Sequence, residues 1–204
     1  MKQRSFQYSA LLIAVCVFLF GCKTGGLMEM EKDDNKPLIK AEIKTEEQSM
    51  LIQAPIDMNV KLIPLPIEED LKDFILKREN VTRNNDKTVC SITHVVFDKR
   101  IIEQPDYDEK KCLKLFVKEA VDIMQENKQM QDFSIDESEY INIGESTAQM
   151  LDISYKANGY KLMKKVVYII KNNSVWAVCY DMEYNDKKAY KDADNSLKSI
   201  VIFE

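Results

Sequence analysis

Imidazole is almost missing from this sequence: His94 is its one histidine, tryptophan also occurs once, and glycine, proline and cysteine five times each in 204 residues. No glycine-rich phosphate loop, zinc-ligand spacing, GxSxG elbow, internal repeat or low-complexity tract is present, so the motifs for nucleotide binding, structural zinc and serine hydrolysis are all lacking. Positive charge is in deficit, 29 basic against 34 acidic side chains. No basic stripe is left that could track phosphates, which excludes nucleic acid as an expected partner. Long apolar runs are missing too. The longest has eleven residues, Ala10 to Phe20, short of the ~18 that a membrane-spanning helix needs.

What that short run does have is the context of a secretory signal: Lys2 and Arg4 before it and Gly21-Cys22 after it. Leu19-Phe20-Gly21-Cys22 resembles the lipobox of bacterial lipoproteins, in which the cysteine is acylated on sulfur and becomes the new N-terminus. The resemblance implies cleavage after residue 21, a diacylglyceryl group on Cys22, palmitate-type acyl chains and a lipid anchor in the bacterial cell envelope. In enterobacterial sorting, Lys23 after the cysteine favours the outer membrane. An ordinary signal peptide with a coincidental cysteine, or an uncleaved anchor, are the alternatives. Stable anchoring needs two or more acyl chains, since each buried methylene adds about 0.8 kcal/mol. Loss of Lys2 and Arg4 leaves 27 basic and 34 acidic side chains, formally −7.

Residues 22–48 contain Gly25-Gly26 and the mixed-charge run from Glu31 to Lys36, with little to bury, and read as a tether. Residues 49–204 suit one domain with one core. Cys16 leaves with the signal and Cys22 is taken by lipid, so Cys90, Cys112 and Cys179 remain. Three cysteines are no disulfide framework, and each lies in an apolar run where a buried thiol packs as a small hydrophobe. Cys112 is expected on a helix, Cys90 and Cys179 on strands.

The most informative stretch is 146–184. Asn158-Gly159 separates two strand-like runs and is the pair that a type I′ turn demands, because both central residues need positive φ. A two-residue loop sets Ala157 against Tyr160, Tyr155 against Leu162, Asp152 against Lys165 and Leu151 against Val166. A second tight turn at Asn172-Asn173 sets Val166 against Cys179, Lys164 against Asp181 and Ile169 against Trp176. Leu151, Val166 and Cys179 then share one face, and Ala148, Met150, Val167, Ile169, Trp176 and Val178 the other. Both faces are apolar, so covering layers are expected on each. Lys156, Lys161, Lys164 and Lys165, near the turn, read as solvated.

Upstream, 50–55 and 59–64 read as a strand pair. Ile67, Leu71, Phe74 and Ile75 share a helical face between leading acids and Lys77-Arg78, which predicts an amphipathic helix. Residues 88–97 are strand-like, 106–128 form the longest helix, and 132–143 lead into the hairpins. Asn185 can cap a helix carrying Tyr190, Ala193 and Leu197, before a short strand at 200–203.

Chemistry-bearing residues are few. His94 as a catalytic base would need an orienting acid and a nucleophile beside it; as a packed strand residue it needs neither. The clusters Asp106/Asp108/Glu109 and Asp132/Asp136/Glu137/Glu139 lack the spacing and glycine of a calcium loop, and read as solvated ends of elements. No catalytic, metal or cofactor site is assigned.

This order of elements, together with Gly144 to Ala148, Tyr155 to Gly159, Trp176 to Tyr180 and Ser196 to Ile200, resembles the Mog1/PsbP-like fold, and within it the bacterial lipoproteins with a DcrB-like or PsbP-like domain. The resemblance implies an α+β domain, an α/β/α sandwich whose mostly antiparallel central sheet carries helices on both faces. It also implies a non-enzymatic accessory or binding role toward an envelope protein. A metal or small-ligand carrier using acidic side chains or His94 is the alternative, and a hydrolase the third. An exposed aromatic patch at Tyr140, Tyr155, Tyr160 or Tyr184 would favour protein binding.

Overall fold

The computed structural model describes residues 37–203. Its frame is a seven-stranded antiparallel sheet in the order β3-β4-β5-β9-β8-β7-β6, built from β3 (Ile63–Pro64), β4 (Ile75–Asn84), β5 (Thr88–Phe97), β6 (Gln131–Ile143), β7 (Ser146–Ala157), β8 (Tyr160–Lys171) and β9 (Ser174–Glu183). A three-stranded sheet packs over part of it, with β2 (Ser49–Ala54) between β1 (Ile39–Lys44) and β10 (Val201–Phe203). Two helices complete the domain, α1 (Glu109–Glu126) and α2 (Lys187–Lys198).

The hairpin registers follow from the turn chemistry. Asn158 and Gly159 both have positive φ, 51° and 83°, and Asn172 has 53°, the backbone that two-residue turns matching the strand twist require. Asp152 faces Lys165, Leu151 faces Val166, and Tyr155 faces Leu162. Lys164 faces Asp181, Val166 faces Cys179, and Ile169 faces Trp176. Pairing of this kind fixes which side chains share a face. Leu151, Val166 and Cys179 lie with Leu113, Phe116 and Ala120 of α1 in one core. Met150, Val167, Ile169, Trp176 and Val178 lie with β1, β2, Ala193 and Leu197 of α2, and Ile202 in the other. The α+β class is therefore as expected, with a helix on each face, and the second face is shared with the small sheet.

Asp108 caps α1, its carboxylate accepting from the Lys111 backbone N–H at 2.7 Å. Asp186, one residue beyond the expected Asn185, caps α2 by accepting from the Lys188 and Ala189 N–H groups at 3.1 and 2.9 Å.

Three expectations fail upstream. The expected helix near 67–78 is a single 3-10 turn, Glu69–Leu71, followed directly by β4. Its apolar residues had helical spacing, but Arg78 and Val81 find partners across β5, at Val95 and Ile92, and that ladder prevails over local periodicity. Residues 59–64 do not pair with 50–55: β2 pairs with β1 and β10, and Ile63-Pro64 with Asn80 and Glu79. The stretch read as tether gives Ile39–Lys44 to the fold, where Ala41 and Ile43 are buried in the second core. Gln48 belongs there as well. Its Oε1 accepts from Trp176 Nε1 and Ser174 Oγ, both at 2.9 Å, which satisfies a fully buried indole and ties the small sheet to the large one.

Candidate functional site

Cys22 and the signal-like run lie outside the described residues. Among the described residues no helix is long and apolar enough to cross a membrane, and no group of three or more His, Cys, Asp or Glu side chains is placed to hold a metal ion. Cys90, Cys112 and Cys179 are all buried.

His94 sits on β5 in a row that crosses the sheet, with Glu79 on β4 to one side and Trp176 on β9 to the other. Its ring stacks on the indole at 4.1 Å, is fully buried, and neither nitrogen has a hydrogen-bond partner. Glu79 Oε2 is 3.8 Å from Nδ1, and is itself held by Lys77 Nζ at 3.3 Å. Burial, and then the Lys77 charge, push the imidazole pKa down to about 3. A neutral, enclosed ring with its acid already engaged is a packed residue.

The sheet carries two buried ion pairs on opposite faces of β8. Lys164 and Lys165, expected in solvent, are each 3% exposed. Lys164 Nζ donates to Asp181 Oδ2 at 2.7 Å and lies 3.1 Å from Cys179 Sγ, while the Tyr155 hydroxyl donates to Asp181 Oδ1 at 2.7 Å. Lys165 Nζ reaches Asp152 Oδ1 at 2.9 Å, Tyr190 Oη at 3.1 Å and Asp194 Oδ1 at 3.2 Å. Burial pulls Lys164 toward neutrality, but the Asp181 carboxylate outweighs it and the ammonium is held well above its usual range. Asp152 and Tyr190 do the same for Lys165 against its own burial. The cross-strand partners were legible in the register, whereas their enclosure came from elements packed over the hairpin.

The aromatic residues differ in exposure. Tyr155 is buried, whereas Tyr160 and Tyr140 are 58% and 43% exposed. Tyr184 lies under Lys161 Nζ at the hairpin end, and Tyr140 is covered in part by Lys110 on β6's α1 side. Asp108 and Glu109 have structural partners, Glu109 accepting from Thr147 Oγ1 at 3.0 Å.

The second acidic cluster, Asp132/Asp136/Glu137/Glu139, is different. β6 is an end strand of the large sheet, thirteen residues long and exposed along nearly its whole length. Its inner side pairs with β7, with register shifts between Gln131 and Ser134 and between Ile135 and Glu137. Bulges and charges of this kind blunt an open edge against indiscriminate pairing. Asp132, Asp136, Glu137 and Glu139 are interspersed along it with Ile135 and Tyr140, 40% and 43% exposed. Asp132 is met by Lys156 at 2.7 Å. Beside its far end opens a groove of about 220 Å³ lined by Ile141, Ile143, Met150 and Ile200, with Glu139 and Lys198 at its rim.

No family model matches the chain, and no curated relative matches it. Among solved structures it is similar to the PsbP protein CyanoP of Synechocystis sp. PCC 6803, with 10% identity, 88% of this chain and all of that one covered and a TM-score of 0.46. It is similar to LpqN of Mycobacterium tuberculosis, involved in cell envelope biogenesis, at 18% identity over 83% of this chain and 90% of that one, TM-score 0.40. A protein of unknown function from Pseudomonas aeruginosa, PA94, is similar at 17% identity over 69% of this chain and 96% of that one, TM-score 0.42.

Proposed function

We propose that this protein is a lipid-anchored, non-enzymatic binding module of the bacterial cell envelope, held to a membrane through acylated Cys22, and that it takes an extended, basic protein segment along β6. The open acidic edge carries this reading. An added strand would draw affinity from main-chain hydrogen bonds and specificity from alternate side chains. Asp136, Glu137 and Glu139 supply the charge complementarity, and the neighbouring groove accepts an apolar side chain from the same segment. A second copy of this chain is the wrong occupant, because two acidic edges would face each other.

Crosslinked cells expressing the full-length protein, the Cys22→Ser form and the Glu137→Lys/Glu139→Lys double variant test it by pull-down. Enrichment of one envelope protein by the first two, lost with the double variant and weakened by salt, supports the reading. Equal enrichment by the charge-reversed edge overturns it. Membrane release of the Cys22→Ser form tests the anchor separately.

A further inference from the structure

The buried group around Lys164 is more than an ion pair. An amine, a thiol, a carboxylate and a phenol meet there, on strands whose register is fixed by tight turns at either end of β8. Lys164 faces Asp181, and Cys179 lies two residues back on the same face of β9. The side chains therefore meet on the diagonal, Nζ to Sγ at 3.1 Å. Asp181 Oδ2 lies 2.7 Å from the nitrogen and 3.7 Å from the sulfur, and so can accept a proton from either. Tyr155 holds the other carboxylate oxygen at 2.7 Å. Lys164 and Cys179 are 3% and 1% exposed, which keeps bulky thiols and proteins away and admits only a small oxidant.

We propose that Lys164 and Cys179 are an oxidative modification site, joined by a single oxygen atom into a nitrogen–oxygen–sulfur bridge between β8 and β9. The oxidant is dioxygen. It adds to the thiol to give a sulfur-bound hydroperoxide, the S–H proton ending on the outer oxygen. The lysine attacks the sulfur-bound oxygen through nitrogen as its extra proton passes along the 2.7 Å hydrogen bond to Asp181. The O–O bond breaks, a proton from nitrogen joins the departing hydroxide, and water leaves. Sulfur and nitrogen each give up two electrons, and dioxygen takes up all four, as water and as the bridging oxygen. Geometry favours this product over its competitors. An oxygen between the two atoms spans them at close to their present separation, whereas a direct N–S bond would need them to close to covalent length. The further acids of sulfur would place new charge and bulk in a packed core. Four electrons from two equivalents of a dithiol such as dithiothreitol reverse the bridge, leaving two disulfides and returning amine, thiol and water. The inference is independent of the edge-strand reading.

The test is peptide mapping of the full-length protein in detergent, held either in air-saturated buffer or without oxygen under dithiothreitol, then denatured, alkylated and digested with trypsin. The bridge blocks cleavage after Lys164. It yields a peptide pair joining Lys164 to Cys179 whose mass is that of both peptides plus one oxygen less two hydrogens. That species is expected in air, absent after dithiothreitol, and absent from the Lys164→Arg variant, which keeps the charge opposite Asp181. The comparison between wild-type samples stands even if the variant folds poorly. The proposal is overturned if the air-exposed protein gives cleavage after Lys164 with Cys179 alkylated, a sulfinic or sulfonic acid at Cys179, a Cys112–Cys179 disulfide, or a joined pair lacking the oxygen.

Discussion

Lowering the pH from 7 to 5 should cost this fold about 2 kcal/mol through one side chain, His94. Its imidazole is fully buried and lacks a hydrogen-bond partner at both nitrogens. Protonation would place a charge beside Lys77, whose own ammonium already engages Glu79 at 3.3 Å. Burial first, and Lys77 second, lower the pKa from 6.5 to about 3. The folded state therefore binds fewer protons than the unfolded chain anywhere between these values. The stability at stake is fully present above pH 6.5 or so and is lost as pH falls toward 3. At pH 5 the unfolded chain has gained about 2 kcal/mol relative to pH 7, roughly thirtyfold in the unfolding constant. His94→Phe keeps a ring on Trp176, 4.1 Å away, and removes the titration. Urea unfolding of the Cys22→Ser form, followed by fluorescence of the lone tryptophan, measures both proteins at both pH values. Protonation of carboxylates elsewhere acts on both and cancels in the difference. The phenylalanine variant should gain about 2 kcal/mol on wild type between pH 7 and 5. An unchanged gap, or an imidazole signal that titrates near its ordinary value in the folded protein, would refute the account.

Other consequences follow from the same geometry. Asp152→Ala strands the Lys165 ammonium, and should destabilise by about 3 kcal/mol, the low end for a broken buried pair because Asp194 still faces it; replacing both partners, Lys165→Met with Asp152→Leu, should recover most of that loss in the same urea assay. Cys112 has its thiol pushed up to about 11 by burial and then by Glu109, so at pH 8 it should react with a disulfide reagent only as fast as the protein unfolds. Rapid reaction of the native protein at Cys112 would contradict its enclosure. Gly159 has φ +83°, and nothing within 4 Å would meet an added Cβ, so Gly159→Ala should cost about 1 kcal/mol from backbone strain alone, read from the melting temperature.

The hairpins were legible because their information is local. Asn158-Gly159 fixes a turn, the turn fixes a register, and the register assigns every side chain from Ser146 to Tyr184 to a face. What escaped was whatever depends on distant segments. Lys164 and Lys165 have polar side chains close to a turn, and nothing local says that other elements enclose them. Ile67, Leu71, Phe74 and Ile75 satisfy a helical pattern, but β5 offered a ladder. Ile39–Lys44 falls in the stretch read as a tether with little to bury, yet Lys40, Glu42 and Lys44 are the outward half of a strand that buries Ala41 and Ile43. The acids of β6 were seen as a cluster; that they line an open edge is a property of strand order, which no single segment encodes.

One pair of adjacent residues also guards the assembly of the sheet. Lys165 finds its carboxylate on β7 and Lys164 finds its own on β9. A slip of β8 by one residue against either neighbour would turn each lysine to the opposite face and part it from its own carboxylate. The two ammonium groups thus work as separate keys, one for each seam. Misthreading at either seam breaks a buried pair, so errors on both sides of β8 carry a penalty.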